Sequence, residues 1–150
     1  MKTSNHAGRA LVQAALLMVA LCSSAAALAS VDTSARPGGV YKLKPGVYVA
    51  EQSRCEDPAN AAIRQYDGRG IASAHSRACT ARVRKHVGQR YTVEQSCLDG
   101  GAGHGRRYVE RQQVIVRDAL NFSQTIAGET SNYRYCPAYQ LPKDLQKSLR

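Results

Sequence analysis

From Gly46 onward, apolar residues alternate with polar ones in short runs instead of recurring every third or fourth position, so the chain reads as strands and not helices. The runs are GVYVAEQ (46–52), AIRQY (62–66), GIASAH (70–75), CTARVRKHV (79–87), RYTVEQSC (90–97), YVERQQVIVRD (108–118), FSQTIA (122–127) and NYRYC (132–136). Eight short strands of this kind predict an all-β fold, a small antiparallel barrel or sandwich. DGRG at 67–70 and GETS at 128–131 supply turn signals between them.

The stretch CTARVRKHVGQRYTVEQSC is the sharpest hairpin signal. Ala81, Val83, Val87, Tyr91 and Val93 form an apolar set at odd positions, while Thr80, Arg82, Arg84, His86, Thr92 and Glu94 are polar at even ones. Matching the two apolar sets across a hairpin needs a three-residue loop, Gly88-Gln89-Arg90, with Val87 opposite Tyr91 and Arg84 opposite Glu94. Lys85 then falls on the apolar face. The same register sets Ala81 opposite Cys97 and leaves Cys79 diagonal to it, too far for easy bridging. It favours Cys55 with Cys79 and Cys97 with Cys136; Cys55 with Cys97 and Cys79 with Cys136 stays open.

Two segments resemble each other, YVAEQSRCED at 48–57 and YTVEQSCLD at 91–99. Tyr, Glu, Gln and Ser match, but Arg54 is inserted before Cys55, and continuing the offset finds no counterpart of Cys79 and no second DGRG. The pair reads as one local device, a strand leading into a cysteine, met twice.

The flanks differ in character. Residues 1–29 carry Lys2 and Arg9 ahead of an apolar run from Leu11 to Leu21, and end in Ala27-Leu28-Ala29, the pattern of a removed signal peptide. The run is shorter than the roughly 20 apolar residues that span a bilayer, so no transmembrane segment is expected after processing. Leu21 stands before Cys22 where a lipoprotein signal carries a small residue. Residues 30–45, with SARPGG and KLKPG, read as a flexible basic lead, residues 46–136 as the β domain, and 137–150 as a tail. In the tail Leu141, Leu145 and Leu149 recur at helical spacing after Pro142, predicting a short helix packed on the barrel.

Removing the leader leaves 150 − 29 = 121 residues, one domain, with 19 Lys and Arg against 11 acidic residues, a formal charge of +8. It also leaves four cysteines, Cys55, Cys79, Cys97 and Cys136. An even set in a short exported chain reads as two disulfides. Export to the periplasm or beyond, with a basic surface, suits an anionic polymer or an acidic protein as partner. Arg82, Arg106, Arg107 and Arg111 have no sequence-local carboxylate on their expected face and are the candidate binding residues.

Catalytic constellations are thin. His75 and Cys79 have helical spacing in a strand segment, and the cysteine is expected to be oxidised, so no metal and no cofactor is called for. His86 and His104 with Lys85 have the residue types for acid-base cleavage of RNA, and an exported ribonuclease is the enzymatic alternative. GGAGHGRR at 100–107 runs from strand to strand, unlike a phosphate loop, which opens a helix. Glu56-Asp57 reads as a loop before Pro58. Tyrosines beside arginines, in GQRYTV, GRRYVE and NYRYCP, are residues that stack on bases and also residues that half-buried strands favour.

G-x-x-Y occurs twice, as Gly88 to Tyr91 and Gly105 to Tyr108, with Val87 and His104 preceding. Together with a signal peptide, a small barrel and two disulfides, this outline is similar to that of bacterial periplasmic lysozyme inhibitors, whose inhibitory loop carries S-G-x-x-Y. The resemblance implies an inhibitor of a secreted enzyme; the serine of the motif is absent at both places. From the residues themselves the expectation is a non-enzymatic binding role toward an anionic envelope component or an acidic protein.

Overall fold

The computed structural model describes residues 32–35, 39–100 and 105–147; the leader, His104 and Leu149 lie outside the described residues. Eight strands form: β1 Gly46–Ala50, β2 Ile63–Tyr66, β3 Ile71–Ser73, β4 Ser76–Val87, β5 Arg90–Asp99, β6 Arg107–Asp118, β7 Asn121–Ile126 and β8 Glu129–Cys136. A short helix, α1, spans Lys143–Lys147. Every expected run becomes a strand, and only the ends move. Of GETS only Gly128 turns: the β7–β8 bend is Ala127-Gly128, both with positive φ (+50° and +87°), and Glu129 already pairs with Ile126.

All pairings are antiparallel, in the order β3-β2-β1-β8-β7-β6-β5-β4. Each strand therefore neighbours its sequence neighbour, and β8 returns to β1 to make an up-and-down, nearly closed barrel. The seam lies between β3 and β4. Gln95 of β5 spans it, its side-chain amide donating to the Ile71 carbonyl and its oxygen accepting from the Ile71 N–H, both at 2.7 Å. The Ala81 N–H donates to the Arg69 carbonyl at 2.8 Å, and Gly70 admits this approach because a Cβ there would meet the Cys79 backbone at 2.8 Å.

The β4–β5 register differs from the sequence expectation. A two-residue turn, Gly88-Gln89, places Val87 opposite Arg90 and His86 opposite Tyr91, with Gly88 at φ +57°. A bulge between Val83 and Lys85 and another between Arg77 and Thr80 then shift the pairing. Each bulge inserts one unopposed residue and exchanges the faces of those beyond it. Lys85, expected on the apolar face, therefore pairs with Thr92 on the outside, while Arg82 faces Glu94.

That slip also overturns the disulfide assignment. Thr80 opposite Ser96 brings Cys79 level with Cys97, and these two are joined at a Cα–Cα distance of 4.1 Å. The other bridge is Cys55–Cys136, at 5.7 Å. Cys55, Cys79, Cys97 and Cys136 are thus all oxidised, in the pairing the three-residue loop argued against. Two disulfides are the state that thiols reach in an oxidising compartment.

The lead is not a flexible segment throughout. Tyr41 and Leu43 are 1 % and 0 % exposed and enter one end of the barrel. Tyr41 packs on Tyr66 and edge-on to Tyr91, with ring centroids 5.6 and 5.2 Å apart. Tyr48, Val93, Val114, Val116, Phe122 and Tyr133 complete this inner core. A second apolar layer lies outside β1, where Val47, Val49, Ile63 and Cys136 are covered by Leu141 and Leu145 of the tail. Burial on both faces explains why GVYVA is apolar without a break. The tail helix packs on the barrel as its leucine spacing predicted.

Candidate functional site

Strands β4, β5 and β6 place one row of side chains outward. Burial alternates strictly along β5, with Tyr91, Val93, Gln95 and Cys97 inside, so Arg90, Thr92, Glu94, Ser96 and Leu98 face out. Pairing extends that face across three strands: Arg82–Glu94–Arg111, Lys85–Thr92–Gln113, Val87–Arg90–Ile115 and Leu98–Arg107. Arg84, the bulge residue, leans onto the same face, its Nε donating to Glu94 Oε2 at 2.9 Å and its Nη2 bonding the same oxygen. Arg111 reaches the other carboxylate oxygen, Nε to Oε1 3.4 Å.

Glu94 is therefore shared by two guanidiniums, with a third, Arg82, level with it. Hydrogen bonding from Arg84 holds the Glu94 carboxyl below its ordinary value, with Arg111 adding to the effect. Leaving aside Arg77, which pairs with Leu98 and donates to the Asp99 carbonyl at 3.0 Å, the described outward cations of this face are Arg82, Arg84, Lys85, Arg90, Arg107 and Arg111 against the one carboxylate of Glu94, a formal surplus of 6 − 1 = +5. Strands stand about 4.8 Å apart, so Arg82 and Arg111 flank Glu94 across about 10 Å. The side chain of Arg111 is 86 % exposed, so its charge stays available to a partner.

The four arginines singled out from sequence have different fates. Arg82 and Arg111 come together across Glu94; the expectation that these two lack a carboxylate on their face is corrected, because β5 presents one directly opposite each. Arg107 lies four residues along β6, about 13 Å away, donating to the Ser96 carbonyl and hydroxyl at 3.3 and 3.1 Å. Arg106 is exposed just before β6, its carbonyl accepting from the Asp99 N–H. Sequence reasoning missed Lys85 and Arg90 and set Arg84 aside as neutralised. Only the bulge at Arg84 assigns Lys85 to this face, and no residue type in RVRK announces it.

Other candidates are drawn into structure. His86 stacks on Tyr91 with centroids 4.1 Å apart, and its Nε2 hydrogen-bonds the Gly88 carbonyl at 2.8 Å. Register puts His86 and Lys85 on opposite faces of β4. Asn121 of the NFS triplet donates from Nδ2 to both Asp118 carboxylate oxygens in the β6–β7 turn. Tyr91, the aromatic end of the first G-x-x-Y, is 5 % exposed. Tyr108, which ends the second, is 41 % exposed at the rim of a polar hollow of about 230 Å³ that also holds Arg64, Glu110, Gln112 and Gln124. There Arg64 Nε donates to Gln124, Gln124 to Gln112 and Gln112 to Glu110, at 2.9, 2.7 and 3.0 Å. The chain of bonds satisfies the polar side of the barrel interior from within.

Comparison with known proteins adds no relative: no family model, no curated protein and no solved structure matches this chain. Among the described residues no helix is long and apolar enough to cross a membrane.

Proposed function

We propose that this protein is an exported, periplasmic or secreted binding module that holds an anionic polymer or an acidic protein on the outer face of β4–β6 without performing catalysis. The supporting observation is the set of six cations and a single carboxylate, Glu94, on one continuous, exposed sheet surface. A surplus of this size on three adjacent strands raises the local potential and steers anions toward it. Elsewhere on the barrel arginines are tied down: Arg69 to Asp67, Arg117 to Glu51 and Arg134 to the Ser53 carbonyl.

The test is binding of the mature, disulfide-intact protein to polyphosphate, RNA and poly-glutamate across a salt series. Affinity is expected to fall linearly on a logarithmic plot, with the slope reduced by about one for each phosphate contact removed. Arg82→Glu with Arg107→Glu is expected to lower affinity for every polyanion and leave the unfolding midpoint within about 0.5 kcal/mol of the parent, as exposed substitutions do. Salt-insensitive binding contradicts the reading. So does RNA cleavage that disappears in His86→Ala, the outcome the ribonuclease alternative requires.

A further inference from the structure

The strand that carries half of this charge is also the open edge of the barrel. β4 runs twelve residues and β3 only three, so the seam contacts end at Ala81, whose N–H meets the Arg69 carbonyl. From Arg82 to Val87 both faces of β4 are exposed. Among the described residues nothing hydrogen-bonds its backbone on the side away from β5. In an antiparallel strand the N–H and C=O groups not used by one neighbour point toward the other side, so Arg82–Val87 presents a row of unused backbone donors and acceptors about 20 Å long.

We infer that this edge takes up an extended, acidic segment of another protein as an added strand. The inference rests on the anion-binding reading above and specifies its partner. Main-chain pairing supplies the affinity in such additions, and side chains on alternate positions supply the selection. Here the two faces select differently. On the outside Arg82 and Lys85 await carboxylates, with Arg84, Arg90 and Arg111 behind them. On the inside Val83, opposite Val93, is 40 % exposed, an uncovered apolar position that an apolar side chain of the incoming strand would cover. The fitting ligand therefore alternates acidic and apolar residues.

Charge also excludes the simplest rival occupant, a second copy. Pairing β4 with β4 of another molecule sets Arg82, Arg84 and Lys85 against one another, and like charges directly across a ladder are destabilising; cationic edge residues are a common defence against self-association. A polyanion such as RNA has the charge but lacks the amide row, so it engages the outer face and leaves the edge bare.

Three peptides of one composition separate these cases: one alternating Glu with Val, one with the Glu residues in a block, and the alternating one N-methylated at two adjacent central residues, which blocks both of its edges. Fluorescence anisotropy with the mature, oxidised protein at low salt reads the affinity, and hydrogen exchange reads the amides of residues 82–87. The alternating peptide is expected to bind at least about tenfold more tightly than the other two: methylation removes backbone hydrogen bonds to the edge, and the block order turns half of the Glu residues to the inner face, away from the cations. It is also expected to slow exchange along β4. Equal affinity for all three peptides, with loss in Arg82→Glu/Lys85→Glu, overturns strand addition and leaves the anion-binding face standing. Failure of every peptide and of polyphosphate to bind overturns both. Slow exchange at 82–87 with no peptide present, accompanied by a concentration-dependent dimer, assigns the edge to self-pairing and overturns the inference as well.

Discussion

Two buried tyrosines show how much the same side chain depends on what its hydroxyl meets. Tyr48, 0 % exposed, donates to the Lys44 carbonyl at 2.6 Å with the Ala119 carbonyl 2.9 Å away. Tyr41 is equally deep, but its hydroxyl has no hydrogen-bond partner among the described residues. Removing a satisfied buried hydroxyl costs about 1 kcal/mol, whereas removing an unsatisfied one lifts a desolvation penalty. Tyr48→Phe is therefore expected to lower the urea midpoint by the equivalent of about 1 kcal/mol, and Tyr41→Phe to leave it unchanged or raise it. At this scale the sequence was legible in residue type and blind to role. The matched pair Gln52 and Gln95 illustrates the limit: identical neighbours surround them, yet Gln52 is exposed in the turn after β1 and Gln95 is 3 % exposed across the seam. Local pattern carries no record of which strand lies at a seam.

Among elements, the strands were legible because each is a short alternating run, and the β4–β5 register was not, because it turns on two inserted residues. A hairpin whose apolar sets can be aligned without bulges looks self-consistent. The actual hairpin instead takes a tight turn at Gly88 and recovers the alignment by bulging at Arg84 and again near Ala78, which has φ +48°. The consequence reached the disulfides and the candidate site together, since one slip brought Cys79 to Cys97 and Lys85 to the outside. The two bridges close loops of different length, with sequence separations of 81 and 18. Chain-entropy reasoning assigns them about 4.5 and about 3 kcal/mol. Replacing Cys55 and Cys136 by serine is thus expected to cost more than replacing Cys79 and Cys97, as read from urea unfolding of the two double variants. Non-reducing peptide mapping checks the pairing itself.

For the molecule as a whole, the tyrosine core ties stability to alkaline pH. Burial, reinforced by neighbouring tyrosines, pushes the phenols of Tyr41 and Tyr48 well above their ordinary value, and burial also raises Tyr66 and Tyr135. In the unfolded chain these groups ionise near pH 10. Above that pH the unfolded state holds fewer protons than the folded one, so stability falls as pH rises; below it the full contribution is present. Urea midpoints are expected to be insensitive to these groups between roughly pH 8 and pH 9.5 and to drop beyond roughly pH 10. Ionisation of Tyr41 or Tyr48 in the folded state, followed by their own ring signals in NMR and so kept apart from the exposed Tyr108 and Tyr139, contradicts this packing. The overall charge, unlike the core, was legible early: a basic sheet surface follows from counting arginines, while its concentration on β4–β6 follows only from the order of strands.

That order has one more effect. Six of the seven ladders join strands adjacent in sequence, whereas β1 with β8 joins Val47 to Cys136. Local hairpins form quickly, and the distant pairing has to wait for a search over nearly the whole chain, which makes barrel closure the slow event in folding. During that wait β1 and β8 are both bare edges, rich in valine and tyrosine, and open to other molecules. Cys55–Cys136 sits beside this ladder, so once oxidised it tethers the two late partners and turns a long diffusive search into a short one. The bridge therefore acts on the time the chain spends vulnerable to aggregation, a service rendered before the native state exists.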